Sequence, residues 1–325
     1  MAVTGPTGTF GFGLIPLLQD DDRISHIVGI ARRPFDPVAH GWTKMEYRRG
    51  DVRDPAPLEE AFLGVDVVVH LAFVVVGNAP RQTIREINIA GTLNTFRAAA
   101  KANVRRFVYA SSVAAYGFYR DNPVGMAEDW PTRPAKRLFY AQEKAELERL
   151  LTEASAAHPG LGLYLLRPSV VLGPHAFGAK AAVPTPLATV GSRLAGVRAW
   201  RLPLPAFVPN VRMQFVHEDD VGQAFLLCIV GAGPPGAYNI AGDGVLTGAD
   251  IAREFGLLAI PIPAGLVQAA ARAVMYIPMP PWAQWLEAVT QPVIMDTTKA
   301  KRQLGWRPRH TGADALRGTL RHLTG

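Results

Sequence analysis

The 325-residue sequence predicts an α/β protein with a doubly wound parallel sheet and a smaller, mostly C-terminal lobe. Three observations predict this class. Short apolar runs alternate with helical patterns, a glycine-rich turn follows the first run, and the alternation breaks near residue 174. We therefore assign residues 1–173, with a return segment at about 210–232, to the sheet domain, and residues 174–209 and 233–325 to the lobe.

Composition argues for a folded protein and against several functional classes. With 49% hydrophobic and 19% charged residues and no long run of like charge, disorder is not expected. The net charge of +7 comes from scattered arginines rather than a basic stripe, so we expect no nucleic-acid partner. The single cysteine, Cys228, excludes an internal disulfide. We expect a cytoplasmic protein with no membrane partner, because neither a signal-peptide pattern nor a long uncharged apolar span is found.

The opening segment "MAVTGPTGTFGFG" has a short strand at residues 1–3 and then glycines spaced G-x-x-G-x-x-G. Bare backbone in such a turn lets a pyrophosphate approach, and the next helix offers free N–H groups to it. The glycines alone also fit a flexible turn, but the strand before and the βαβ spacing after favour a dinucleotide site. The turn residues expected to contact the dinucleotide are Gly5, Thr7, Gly8, Thr9, Phe10 and Gly11.

The end of the second strand, "ISHIVGIARR", indicates which dinucleotide binds. A carboxylate at this place would accept from the ribose 2′-OH of NAD, whereas arginines suit the 2′-phosphate of NADP. This chain has Ala31 followed by Arg32 and Arg33. We therefore predict NADP, with NAD possible, although two solvated loop arginines would also fit the pattern.

The alternation continues with "MEYRRGDVRD" as a strand, "PLEEAFLGV" as a helix and "DVVVHLAFVVV" as a buried strand. The helix "TIREINIAGTLNTFRAAAKANV" and the strand "RRFVYASSVAAYG" follow. Because the carboxyl ends of parallel strands share one edge of a sheet, ligands bind there. The residues expected to converge at this edge are Asp51, His70, Ala72 and Ser112.

Several segments in order resemble the extended short-chain dehydrogenase/reductase family, in its epimerase/dehydratase branch, over essentially the whole chain. They are "TGPTGTFG", "GDVRD", "HLA", "NIAGT", "YASSVAAYG", Tyr140-x-x-x-Lys144, "LRPSVVLGP", "FVHEDDV" and "MDTTKAKRQLGWRP". The resemblance implies a Rossmann-type fold. It also implies that residues 1–173 form a dinucleotide-binding domain and that the lobe binds substrate.

The segment "RLFYAQEKAELERLL" has the spacing of an amphipathic helix, in which Tyr140 and Lys144 share one face. Alone, this pair also fits a surface helix. The resemblance implies that Tyr140 is the proton donor and acceptor and that Lys144 binds the nicotinamide ribose. A nearby ammonium would bring the phenol pKa down from its usual value of about 10. Ser112 is then expected to hold the substrate oxygen.

The resemblance implies further cofactor contacts at Asp51, Val52, Leu71, Ala72, Asn88, Ser111, Pro168 and Val170, and substrate contacts at Phe73, Tyr116 and His175. Three of these positions have alternatives. Asn88 fits a helix cap, Ser111 a strand-end contact, and His175 a solvated loop. We expect no metal, because His217 with Asp219 and Asp220 lacks the further ligands that a metal geometry needs.

Departures from the family pattern narrow the expected reaction. Sugar-nucleotide dehydratases carry an acidic pair where this chain has only apolar residues, 113–115, so elimination would lack its acid. Val170 and Met213 stand where nucleotide-sugar epimerases use polar diphosphate contacts, which argues against a UDP-sugar. We predict an NAD(P)-dependent oxidoreductase that interconverts a carbonyl and a secondary alcohol on a small-molecule substrate. An epimerase is the alternative, and a non-catalytic NADP-binding regulator is a third reading. The resemblance also implies a possible homodimer through helices near 84–101 and 138–156.

Overall fold

The computed structural model describes residues 1–75, 79–176, 204–209, 211–262, 265–266, 285, 288 and 291–324. Its helices are α1 (Thr9–Asp20), α2 (Pro55–Ala61), α3 (Arg81–Arg85), α4 (Gly91–Lys101), α5 (Phe139–Ala156), α6 (Glu218–Val230), α7 (Gly248–Glu254) and α8 (Gly312–Thr324). Short 3₁₀ turns cover Val38–His40 and Val113–Tyr116, and π-helical turns cover Glu86–Ala90 and Ala300–Leu304.

The strands begin with β1 (Ala2–Thr4), β2 (Ile27–Ala31), β3 (Met45–Arg49), β4 (Val67–His70), β5 (Arg106–Ala110) and β6 (Gly162–Pro168). They continue with β7 (Val170–Leu172), β8 (Pro205–Pro209), β9 (Arg212–Met213), β10 (Phe215–His217), β11 (Gly236–Ile240), β12 (Leu246–Thr247) and β13 (Leu258–Ile262). Among the described residues, seven of these strands form one sheet in the order β11-β6-β5-β4-β1-β2-β3. Every neighbouring pair is parallel, which confirms the predicted doubly wound sheet.

Successive strand residues point to opposite sides of the sheet, and both sides are buried. One face packs under α1 and α6 through an apolar cluster that includes Val3, Val69 and Val108. The other face packs under α2, α4 and α5 through a second cluster that includes Val68 and Phe107. This double burial explains why the central strands are nearly all apolar.

Side-chain caps fix the starts of several helices. Asp54 accepts from the backbone of Ala56 at the start of α2, where Pro55 takes the first helical position. His217 likewise accepts from the Asp219 backbone at the start of α6, at 3.3 Å. Asp220 accepts hydrogen bonds from the backbone N–H groups of Arg309 and His310. The segment 217–220 therefore has a structural role, because it joins α6 to the C-terminal part of the chain.

The elements depart from the sequence prediction in three places. Strand β4 ends at His70, although the apolar run continues through residue 76. The helix predicted across residues 83–104 contains the π-helical turn Glu86–Ala90. Strand β11 pairs with β6 in the main sheet, so residues 236–240, which we assigned to the lobe, belong to the seven-stranded sheet.

The return segment forms β10, which pairs with β7 in a separate two-stranded sheet, followed by α6 on the face of the main sheet. Two further small sheets pair β8 with β13 and β9 with β12. The predicted lobe segment 177–203 lies outside the described residues, as does Trp282. No helix in the described part of the chain combines the length and apolarity needed to cross a membrane.

Candidate active site

The glycine-rich turn joins β1 to α1 with its three glycines in different surroundings. Gly5 has a φ of +71° and lies so close to Ala72 that a Cβ would come within 2.7 Å of its backbone nitrogen. A Cβ on Gly11 would lie 1.8 Å from the Pro6 oxygen. Gly8 is exposed, and a Cβ there would meet nothing closer than 3.5 Å. Close packing of the protein's own backbone therefore requires glycine at positions 5 and 11. Gly8 has no such contact, and its lack of a side chain leaves the outer surface of the turn open to a phosphate.

The loop after β2 carries two arginines, at the carboxyl end of this strand. Arg32 and Arg33 are exposed, while side chains of β3 hold their backbone. The Arg49 Nε donates to the Arg32 carbonyl at 3.0 Å, and the Tyr47 hydroxyl donates to the Arg33 carbonyl. The two guanidinium groups thus project from an anchored loop, a position suited to a 2′-phosphate.

The remaining predicted cofactor contacts lie where the strand ends place them. Asp51 follows β3 and pairs with Arg53 at 2.7 Å, and this guanidinium lowers the pKa of its carboxyl. Leu71 and Ala72 follow β4, with the Leu71 N–H donating to the Thr4 carbonyl. Val52 and Pro168 are buried, whereas Val170 is 42% exposed. Contact between these residues and a cofactor stays a prediction.

The structure brings Ser112, Tyr140 and Lys144 together. Ser112 follows β5 and caps the Val113–Tyr116 turn, where its oxygen accepts from the Ala114 backbone at 3.1 Å. The Ser112 side chain also interacts with the phenol of the half-buried Tyr140, near the start of α5, and lowers its pKa. Lys144 lies one helical turn later, with its Nζ 5.7 Å from the centroid of the Tyr140 ring. The serine that we selected over its neighbour is the one beside the tyrosine.

Lys144 is only 3% exposed and its ammonium has three partners. Nζ donates to the Ala110 carbonyl at 2.6 Å and to the Tyr109 hydroxyl at 3.1 Å, and the Phe73 ring centroid lies 3.7 Å away. Burial lowers the pKa of Lys144 to about 7, although the carboxylates of Glu148 and Glu143 act against this shift.

The protonation state of Tyr140 differs from the sequence expectation. We expected the lysine ammonium, together with the positive nicotinamide of a bound cofactor, to lower the phenol pKa. Burial instead raises the pKa of Tyr140, and the hydrogen bond to Ser112 lowers it only in part. The physical reason is that desolvation penalises the phenolate, while the buried lysine loses charge itself near pH 7. The protein surroundings of Tyr140 therefore favour its phenol form.

Lys144 gives a prediction for the pH dependence of cofactor binding. Above pH 7 its neutral amine is favoured, whereas an anionic dinucleotide beside it favours the ammonium, so binding should take up a proton. We expect affinity for NADP⁺ to fall by up to about tenfold per pH unit above pH 7. Titration calorimetry at pH 8 in buffers of different ionisation enthalpy would measure the proton uptake.

The control for this experiment separates Lys144 from other titrating groups. Lys144→Met should abolish its share of the proton uptake, whereas Lys101→Met should not, because that side chain is 69% exposed and pairs with Glu59 on the surface. Equal proton uptake by wild type and Lys144→Met would contradict the assignment.

A buried ion pair that the sequence analysis missed lies behind the site. Glu148 and Arg167 have side chains only 3% and 6% exposed, with Nη2 and Oε2 2.5 Å apart. The Ser111 hydroxyl donates to Glu148 at 2.5 Å, which is the strand-end contact that was the alternative for this residue. A signal existed in the spacing, since Tyr140, Lys144 and Glu148 recur every four residues on one helix face.

The structure does not place Tyr116 for substrate contact. Its side chain is fully buried, and its hydroxyl accepts from Arg167 at 2.7 Å and donates to Asn239 at 2.8 Å. Burial raises the pKa of Tyr116 to about 12, which keeps it neutral. Tyr116 therefore belongs to the network behind the site, because its polar group is already fully occupied by protein partners.

Asn88 differs from both of its predicted roles. It lies inside the π-helical turn rather than at a helix start, and it is fully buried. Its side chain accepts from the Val74 N–H at 2.7 Å and donates to the Val74 carbonyl at 3.0 Å and to Glu143 at 2.7 Å. Arg81 pairs with the same buried Glu143. Asn88 thus holds the loop after β4 against α5 through these protein partners.

The structure also places two histidines, and His175 is the exposed turn residue that its solvated-loop alternative described. His175 lies beside the glycine-rich turn, because its carbonyl accepts from Thr9 and its ring binds Glu218 at 2.8 Å and stacks on Phe12. This position is near the predicted phosphate site rather than the tyrosine. His70 is buried between Thr4 and Thr92, and burial lowers its pKa to about 3. It links β1, β4 and α4 as a neutral side chain. Within the described residues, no group of three or more His, Cys, Asp or Glu side chains could hold a metal ion.

Comparisons with known proteins show the family and the fold of the chain. Residues 1–241 match the model of the NAD dependent epimerase/dehydratase family. An uncharacterised protein of Mycobacterium tuberculosis is 28% identical, over 97% of this chain and 81% of its own length. The human 3 beta-hydroxysteroid dehydrogenase type 7 is 32% identical over 53% of this chain and 50% of its own length. The solved structure of Thermus thermophilus UDP-glucose 4-epimerase with NAD superposes with a TM-score of 0.71 at 23% identity, covering 100% of this chain and 98% of that one.

Proposed function

Because the chain belongs to the NAD dependent epimerase/dehydratase family, we propose that it is an NAD(P)-dependent oxidoreductase interconverting a carbonyl and a secondary alcohol. The observation that carries this proposal is that the Ser112 side chain interacts with the Tyr140 phenol, with Lys144 one turn along the same helix. A human relative named as a dehydrogenase of a hydroxysteroid supports oxidoreduction at a secondary alcohol.

Each residue of the site has a role in this reaction. A bound nicotinamide supplies or accepts the hydride. Ser112 donates a hydrogen bond to the substrate oxygen, and Tyr140 gives that oxygen its proton during reduction. A tyrosine whose pKa is raised by burial stays protonated, which suits a proton donor. Lys144 holds the ribose and supplies positive charge next to the phenol.

An epimerase remains the alternative, because it would use the same three residues to oxidise and then reduce one carbon. Its tyrosine must alternate between base and acid within one turnover, while the cofactor stays bound. A protein purified with stoichiometric cofactor and active without added NADPH would support the epimerase. One that consumes added NADPH in equal amount to a ketone would support the reductase.

We propose NADP as the preferred cofactor, and this choice depends on the anchored arginine loop. Arg32→Ala should lower kcat/KM for NADPH by roughly tenfold to hundredfold, the value of one charge-assisted hydrogen bond, and leave NADH unchanged. Steady-state kinetics with both cofactors measures the ratio. Arg105→Ala is the matched control, because Arg105 is 76% exposed and precedes β5, at the amino ends of the strands and away from the Arg32 loop. Equal NADPH and NADH efficiency in wild type would reject the preference.

We also propose that the protein is a homodimer. The support is the family's use of paired helices and the position of α3 and α5, which lie side by side through the Arg85–Glu146 ion pair. Light scattering of the purified protein would give the mass directly.

A further inference from the structure

Two aromatic rings flank the Tyr140 ring. Phe73 meets it edge-on, with ring centroids 5.6 Å apart and the planes at 90°. Trp285, from the second lobe, lies 5.4 Å away at 30°. Both side chains are half-buried and so keep exposed ring surface. We call these two rings the aromatic walls of Tyr140, the residue to which we assign proton transfer.

The Phe73 wall is held in place by the protein. The next residue, Val74, has both its N–H and its carbonyl bound to the amide of Asn88, at 2.7 and 3.0 Å. Asn88 is fully buried and bonded to Glu143. The Phe73 ring also lies over the Lys144 ammonium at 3.7 Å. Because these contacts hold Phe73 in place, its side chain loses little conformational entropy when a ligand packs on it.

Tyr140 and Trp285 pack against a cluster of apolar side chains. Its buried members are Ala114, Ala135, Leu138 and Ala141, and its half-buried members include Phe118 and Ala288. Ring faces and methyl groups offer no hydrogen bonds to a phosphate, and an anion placed against them would lose hydration without compensation. Hydrocarbon placed there would instead gain from burial.

We propose that Phe73 and Trp285 select a substrate whose reacting carbon belongs to an apolar alicyclic ring system. This inference rests on the proposed function and names its substrate class. The ring system packs against the two aromatic faces while its oxygen reaches Ser112 and Tyr140. A nucleotide sugar, with a polyhydroxylated ring and a diphosphate, fits these walls poorly.

Titration calorimetry on the NADP⁺-loaded protein tests the substrate class without requiring turnover. We expect trans-2-decalone to bind and UDP-glucose to give no binding heat. Phe73→Ala and Trp285→Ala should each weaken decalone binding by roughly tenfold or more, the loss of most of one buried aromatic contact. Phe207→Ala is the matched control, because this phenylalanine is 71% exposed on β8. It should leave the affinity unchanged.

Phe73→Leu guards against a folding defect, because it keeps apolar contact and should retain more of the decalone affinity than Phe73→Ala. Unchanged decalone affinity in Phe73→Ala and Trp285→Ala would overturn the proposal, as would tighter binding of UDP-glucose than of decalone. Decalone that binds as expected but supports no NADPH consumption leaves the substrate class standing. That result would count against the reductase instead.

Discussion

Tyr140→Phe is expected to lower kcat for NADPH-dependent ketone reduction by about 10²–10⁴-fold, the usual contribution of a positioned general acid. The substitution removes only the hydroxyl that is joined to Ser112, and the ring keeps its contacts with Phe73 and Trp285. Cofactor affinity and the thermal midpoint should therefore change little. Single-turnover kinetics with decalone, together with calorimetric NADP⁺ binding, would measure the two effects separately.

Tyr164→Phe is the matched control for this loss. Its hydroxyl donates to the Gly233 carbonyl at 2.9 Å, and its ring stacks on Tyr238 within the core, away from the Ser112 and Tyr140 pair. We expect normal kcat from Tyr164→Phe. Turnover retained by Tyr140→Phe would remove the catalytic assignment and with it the proposed mechanism.

Arg167→Met should destabilise the fold by about 3–5 kcal/mol, because it leaves the buried Glu148 carboxylate without its cation. The arginine also donates to the buried Tyr116 hydroxyl and to the Glu128 carbonyl, which would lose these bonds. Urea unfolding followed by circular dichroism gives the free energy of unfolding, provided that the m-value is unchanged.

The chain offers a close control for this ion pair. Arg149 follows Glu148 and pairs with Glu153, but both side chains are 58% exposed, so Arg149→Met should cost no more than about 0.5 kcal/mol. The double variant Glu148→Leu with Arg167→Met should recover much of the loss, since no buried charge remains unpaired. Equal destabilisation by Arg167→Met and Arg149→Met would show that the pair has no special role.

Much of the fold could be predicted because its signals are local. The central strand β4 is apolar throughout since it is covered on both faces, and helical spacing alone puts Tyr140 and Lys144 on one side of α5. The rule that parallel strands end at one edge then placed Ser112 near them. The seven-stranded parallel sheet among the described residues and the Ser112–Tyr140 contact agree with this reasoning.

The directions of individual polar side chains could not be predicted. Ser111 and Ser112 are neighbours, yet they bond to Glu148 and Tyr140, which are about 12 Å apart along α5 at 1.5 Å per residue. Asn88 looked like a helix cap because periodicity does not reveal a π-helical turn, which moves a side chain off the expected face. The resemblance implied that Tyr116 contacts substrate, and the sequence did not reveal its actual partners, because Arg167 and Asn239 are distant along the chain.

The sequence by itself determined the order of strands and helices, the open glycine turn and the spacing of the tyrosine and lysine, since each depends on residues within a few turns of one another. Tertiary structure alone decided the charge state of the site. Burial of Lys144 beneath Phe73 and of Tyr140 beside Trp285 sets which group holds a proton near pH 7. Desolvation of this kind depends on every segment that packs around the group, and those segments are far apart along the chain.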